Sequence, residues 1–219
     1  GRSSYRETWG RVAAGAIAKK ILRELCKTEI VGYVQQVSSV TAHLNPDTVT
    51  MKQVESHPTR CPDPQAAAQI SRLIERAKLE GDSLGGVVGL TARNVPVGLG
   101  EPVFDKLDAD LFKALKSIHA TKSVEIGMGR AAAELKGSQH NDPFVTDRTG
   151  KVRPGTNKAG GVLGGISTGE NLYLRVTFKP TATIRKPQFT VTVKGKRTTL
   201  EGAGRHDPCV LPRAVATVD

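Results

Sequence analysis

The densest cluster of reactive side chains in this chain is the hexapeptide GRHDPC. There Arg205, His206 and Asp207 put a fixed cation, a titratable ring and a carboxylate in a turn bounded by glycine and proline. Such a turn can hold an anion beside a proton acceptor, the pairing that elimination and isomerisation chemistry require. A structural ion-pair cluster uses the same residue types, and spacing alone leaves both readings open. In IGMGRAA, Gly127, Gly129 and Ala132 imitate the dinucleotide fingerprint, whose glycines admit a pyrophosphate to a helix N-terminus. Asp147 stands at the acidic position of that fingerprint but inside a Pro/Gly/Asp loop, so a tight turn between strand and helix is the competing reading. In AGGVLGGIST, the pairs Gly160–Gly161 and Gly164–Gly165 can cradle an anion with backbone amides or simply make flexible turns, and the lack of GK[ST] excludes a P-loop. The five histidines have no metal-ligand spacing to cysteine or carboxylate partners.

These groups need a scaffold, and the apolar pattern supplies one. Ser4 and Glu7 form a capping-box pattern that opens a helix, along which Ala13, Ile17, Ile21 and Leu25 make an i, i+4 stripe expected to be buried. Residues 30–37 read as a strand, and the turn at Asn45, Pro46 and Asp47 leads into a polar stretch ending at His57. Asp63 before Pro64 starts a helix with Ile70, Leu73, Ile74 and Ala77 on its apolar face, stopped by Gly81. Residues 84–92 are a Val- and Leu-rich strand, Val103, Leu107, Leu111, Leu115 and Ile118 mark a further helix, and 124–126 a short strand. Residues 137–168 lack any regular period and are expected to form a long Gly/Asn/Pro-rich loop region. Strands follow at 171–178 and 188–193, and 212–219 begins a helix. We read 1–219 as a single core domain with both ends cut in mid-element.

Length and composition bound the function. At 219 residues, 38% hydrophobic and 24% charged, the chain fits a soluble globular protein, and no stretch approaches a membrane span. Cys26, Cys61 and Cys209 are odd in number and far apart, poor material for a disulfide framework and suited to a reducing compartment. A formal charge of +11 attracts anions. The basic residues are spread out and aromatics make up only 4%, which argues against a nucleic-acid platform.

The segments GRSSYRET, RVAAGAIAKK, RCPDPQAA, EGDSLGGVV, PVGLGEPVFDKLDADL, GSQHND, AGGVLGGISTGE, FKPTATI and GRHDPCVLPRAV, in this order over nearly the whole chain, resemble the chorismate synthases. The resemblance implies an α/β (α+β) fold, a layered β-α-β-α-β sandwich of which this chain is a core piece. It also implies a homotetrameric, cytoplasmic enzyme, or a plastid one where a transit peptide has been removed. The implied reaction is an anti 1,4-elimination converting 5-enolpyruvylshikimate 3-phosphate to chorismate and phosphate. Reduced FMN is required although there is no net redox change, and NADPH is a candidate reductant in the parent protein. The flavin donates electron density as phosphate leaves, and its N5 takes the C6 hydrogen. A basic pocket suits so many anionic groups, so the net charge needs no nucleic-acid or membrane partner.

Position by position, the resemblance assigns flavin contacts to Arg2, Ser3 and Ser4, to His119 and Ala120, to Gly164, to Lys179, Pro180, Thr181, Ala182 and Thr183, and to Arg205. Asp207 corresponds to the catalytic carboxylate that relays the proton through the flavin. Ala182 replaces a usual serine, Tyr5 and Trp9 replace small residues, and Lys158 stands where Asn or His is common. The family's two proton-donor histidines and its phosphate-clamping arginines precede Arg2 and have no counterpart here, so the resemblance implies a fragment inactive by itself. A non-catalytic flavin- or anion-binding module and a basic nucleic-acid-binding domain are the alternative readings.

Overall fold

The sheet that organises the chain is built from its Val- and Leu-rich runs. In the computed structural model, which describes residues 5–204 and 206–219, five strands form one sheet: β1 (Glu29–Val37), β2 (Val40–Thr41), β3 (Gly86–Arg93), β4 (Thr121–Ile126) and β9 (Leu172–Phe178). Their order is β2-β1-β3-β9-β4, and every neighbouring pair is antiparallel. Along β9, Leu172, Leu174, Val176 and Phe178 are buried while Tyr173, Arg175 and Thr177 are half-exposed, the period-2 alternation of a strand with one core face.

Helices cover this sheet. In α6 (Leu211–Val218), the buried residues Leu211, Ala214, Val215 and Val218 recur at i, i+3, i+4 and i+7, and the helix packs on β1 and β3. Burying each larger side chain of that stripe contributes roughly 2 kcal/mol. The helix α3 (Pro64–Leu79) starts where Asp63 and Pro64 direct it: the Asp63 carboxylate accepts from the amides of Gln65 at 2.9 Å and Ala66 at 3.1 Å. A shorter helix, α2 (Met51–Glu55), forms within the polar stretch that ends at His57. Thr50 and Gln53 close a full capping box there. The helix α4 (Leu107–Lys116) packs on β4 and begins four residues later than its periodicity suggests, leaving Val103 exposed.

The first helix, α1 (Trp9–Cys26), corrects an expectation. Ile17, Ile21 and Leu25 are 65%, 50% and 77% exposed, so their stripe is not the packed one within this chain. The half-buried stripe is instead Val12, Gly15, Lys19, Leu22 and Cys26. Lys19 lies on it and bonds Asp219 at 2.5 Å, and α1 thereby packs on β1 and α6. A helix with two apolar stripes does not reveal from its own sequence which of them meets the sheet. Ser4, half of the expected capping box, lies outside the described residues.

Residues 137–168 carry the one-turn helix α5 (Gly137–His140) and two hairpins, β5 (Phe144–Thr146) with β6 (Val152–Pro154), and β7 (Val162–Leu163) with β8 (Ile166–Ser167). Asp142 ties this region together by accepting from the amides of Lys158 and Ala159, both at 2.9 Å. The strands expected at 171–178 and 188–193 do not pair with each other: β10 (Gln188–Val191) pairs with β11 (Arg197–Leu200) in a separate exposed hairpin. The IGMGRAA glycines make a turn. Gly127 and Gly129 take φ of +55° and +53°, and a 3-10 helix follows at Gly129–Glu134. The preceding strand β4 pairs antiparallel with β9, which is not the parallel βαβ setting of a dinucleotide fingerprint.

Candidate functional site

Strand register creates the first element of the site. Because Thr121 at the start of β4 lies opposite Phe178 at the end of β9, the residue before β4 and the residue after β9 are forced together. These are Ala120 and Lys179, and the Lys179 amide donates to the Ala120 carbonyl at 3.0 Å. Ala120 holds a left-handed φ of +66°, which turns the chain out of the helical segment and into the strand.

The 3-10 turn Tyr5–Thr8 and the start of α1 dock against the same turn. Glu7 lies 3.6 Å from His119 Nε2, the Tyr5 ring centroid is 6.1 Å from that of His119, and Arg11 donates to the Ser117 hydroxyl at 2.6 Å. Tyr5 also donates to the Thr217 hydroxyl of α6 at 3.2 Å, and burial pushes its own phenol pKa up. Arg2, Ser3 and Ser4 lie outside the described residues, but the residues that follow them rest on the His119–Ala120 turn.

Beyond Lys179 the chain runs through exposed Pro180, half-buried Thr181 and exposed Ala182 and Thr183. The Thr181 carbonyl accepts from the Ser83 hydroxyl at 2.7 Å. Only glycine fits at position 85, since a Cβ there would sit 2.5 Å from the Phe178 carbonyl oxygen and 2.9 Å from Pro180. The Leu84 amide donates to the Pro208 carbonyl at 2.7 Å, so the same loop reaches the HDPC turn. In that turn Asp207 Oδ2 accepts from Arg213 of α6 at 2.7 Å, and His206 Nε2 lies 3.0 Å from the Ala203 carbonyl. One cation at Asp207 thus comes from α6, six residues on; Arg205 lies outside the described residues. Burial pushes the neighbouring Cys209 thiol up to about 11.

One implied contact is not brought to this junction by the chain itself. Gly164 and Gly165 form the two-residue turn of the β7–β8 hairpin with φ of +60° and +88°, and the Gly165 carbonyl accepts from the Leu107 amide at the start of α4 at 2.9 Å. His119 and Ala120 follow the other end of α4, and ten helical residues span about 15 Å. Gly164 is exposed, and a Cβ on it would meet nothing within 4 Å. Its hairpin instead borders a groove of about 610 Å³, lined also by Lys151, Arg153 and Glu170. Sequence reasoning missed Ser83 and Arg213 as individual residues. The block EGDSLGG drew attention to the neighbourhood of the first and GRHDPCVLPRAV to that of the second, without marking either side chain.

Comparison with known proteins places this geometry in context. The profile of the chorismate synthase family matches residues 1–219. The chain belongs to the chorismate synthase family. The chorismate synthase of Synechococcus elongatus is 62% identical over the whole chain, and that of Gloeothece citriformis is 59% identical. The chain spans 60% of the length of each of these relatives. A crystal structure of a chorismate synthase superposes with a TM-score of 0.73 at 32% identity, covering 82% of this chain and 57% of the other. The mixed helix-and-strand fold expected from the sequence agrees with this likeness.

Proposed function

We propose that the complete protein containing this chain is a lyase that converts 5-enolpyruvylshikimate 3-phosphate to chorismate and phosphate by anti 1,4-elimination, with reduced FMN as cofactor. The observation that carries the reading is the Ala120–Lys179 hydrogen bond, which joins two sequence-distant segments that the family resemblance assigns to the flavin. The residues present fit a phosphate-bearing cofactor: half-buried Lys179, Thr181 and His119 and exposed Thr183, on the two segments joined by the Ala120–Lys179 bond, offer cationic, hydroxyl and ring-nitrogen groups. Reduced FMN, when bound, supplies electron density to the substrate as its phosphate departs. Lys179 neutralises anionic charge at the site, and the buried Phe178 fixes where the lysine leaves the sheet. Arg213 donates to Asp207 Oδ2 at 2.7 Å, and in this reading the carboxylate's other oxygen accepts the proton.

In this reading NADPH serves as flavin reductant in the parent protein, the active assembly is a homotetramer, and the compartment is the cytoplasm, or a plastid where a transit peptide has been removed. Neither nucleic acid nor a membrane is a partner. In this reading the 219 residues by themselves do not turn over, because the proton-donor histidines that the family resemblance implies have no counterpart among them. Equilibrium titration of the complete protein with FMN tests the reading. Lys179→Met removes a charge-assisted contact worth roughly 1.5–3 kcal/mol, so affinity falls about 10- to 100-fold. Parental affinity in that variant contradicts the site.

A further inference from the structure

The loop 81–85 lies in neither segment assigned to the flavin or to the proton relay, yet it is bonded to both. Ser83 is 8% exposed, and its hydroxyl holds the Thr181 carbonyl at 2.7 Å. One residue on, the Leu84 amide holds the Pro208 carbonyl at 2.7 Å, and Leu84 pairs with Cys209 in an isolated parallel bridge. The loop is itself anchored. The Gly85 carbonyl accepts from the Ser38 amide at 2.9 Å, and the Gly81 carbonyl accepts from the amides of Arg185 and Lys186 at 2.9 and 3.1 Å. Asp82 accepts from the Ser83 amide at 2.8 Å and ion-pairs with Lys186 at 3.3 Å.

Segment 179–183, by contrast, has few ties of its own. Pro180 has no amide to donate. Among the described residues, the segment's hydrogen bonds are those from the Lys179 amide to Ala120 and from Ser83 to the Thr181 carbonyl. Among the described residues, removing the second leaves the stretch from Pro180 to Thr183 without a hydrogen-bonded anchor.

We infer that Ser83 is a positioning residue: its hydroxyl fixes segment 179–183 relative to the turn bearing Asp207, and so sets the geometry in which a phosphate-bearing flavin is held. The inference rests on the proposed flavin-binding function. It concerns a residue that acts through Thr181 and not by touching the ligand.

The test compares Ser83→Ala with the parent in the complete protein, by amide hydrogen exchange without ligand and by FMN titration. Alanine is smaller than serine, so the variant folds. Exchange in the peptide covering 179–186, whose hydrogen-bonded amides are those of Lys179, Arg185 and Lys186, is expected to rise about tenfold while β3 and β9 keep their protection, and FMN affinity to weaken about tenfold, the equivalent of one buried hydrogen bond. Parental exchange at 179–186 overturns the inference, and so does a loss of protection spread evenly through β3 and β9, which marks a residue of general stability only. Local loosening in a parent that binds FMN, with unchanged FMN affinity in the variant, overturns the link to the ligand. Local loosening in a protein whose parent form binds no FMN upholds the positioning role and overturns the flavin reading instead.

Discussion

The amide of Lys179 and the carbonyl of Ala120 meet at 3.0 Å, although 59 positions separate the two residues in the sequence. Their meeting follows from the antiparallel register of β4 and β9, so the site's geometry is inherited from the core of the sheet and not from its loops. The polar contacts spread from there: Glu7 and Tyr5 to His119 on one side, Ser83 to Thr181 and Leu84 to Pro208 on the other. Anything that shifts the end of β9 shifts the whole junction.

Gly85→Ala is the sharpest steric probe of that dependence. The added methyl would lie 2.5 Å from the Phe178 carbonyl oxygen, which is backbone and cannot swing aside. Overpacking of this kind costs typically 1–3 kcal/mol. Chemical denaturation of the complete protein should show a loss in that range, together with weaker FMN binding. Unchanged stability would mean that the 178–180 backbone yields easily.

The three thiols should separate by reactivity. Burial pushes Cys209 up to about 11 and raises Cys61 as well, which suppresses the reactive thiolate, whereas Cys26 is half-buried on α1. Alkylation of the native chain near pH 7 is expected to modify Cys26 first and the other two only after unfolding. Mass mapping of the labelled peptides reads this directly, and rapid labelling of Cys209 in the folded chain contradicts its placement.

Acid sensitivity should begin at specific carboxylates. Amides of His43 and Ala66 hold the Asp63 carboxyl below the usual range, and the Ser83 amide, then Lys186, do the same for Asp82. A depressed folded-state value stabilises the fold above the unfolded value, near ~4, and that contribution is lost as pH falls through the folded value. Melting temperature is therefore expected to hold from neutrality to about pH 5 and to fall below about pH 4. Asp63→Ala should cost about 1 kcal/mol at neutral pH as a lost helix cap, with the gap to the parent closing at low pH. A gap that stays constant into strong acid contradicts the capping role of the charged form.

Much of the scaffold was legible because its signals are local. Asp63 before Pro64 marks the start of α3, Gly81 with φ of +69° ends it, and the apolar runs of β1, β3 and β9 lie where their composition puts them. The short helix α2 was also written locally, in Thr50 and Gln53, but the polar residues around it masked the capping box. The strand β11, RTTL, carries a single large apolar residue and needed its partner β10 to be recognised. The packed face of α1 depended on a tertiary contact between Lys19 and Asp219, 200 positions apart. The site divides in the same way. Family resemblance named the segments, but the Ser83–Thr181 bond spans 98 positions, and one cation beside Asp207, Arg213, sits on α6, beyond the turn that spacing singled out.

The most direct test of the account is the single-turnover rate of phosphate release by Asp207→Asn in the complete protein. It is measured anaerobically with reduced FMN, with FMN affinity and melting temperature taken on the same preparation. Asparagine keeps the shape and can still face Arg213 but removes the proton acceptor. The account predicts nearly parental FMN affinity with a rate about 10²–10⁴-fold lower, equivalent to roughly 3–5 kcal/mol of barrier. A folded, flavin-loaded Asn variant that releases phosphate at the parental rate would contradict it, and the HDPC turn would then be a structural ion pair with Arg213.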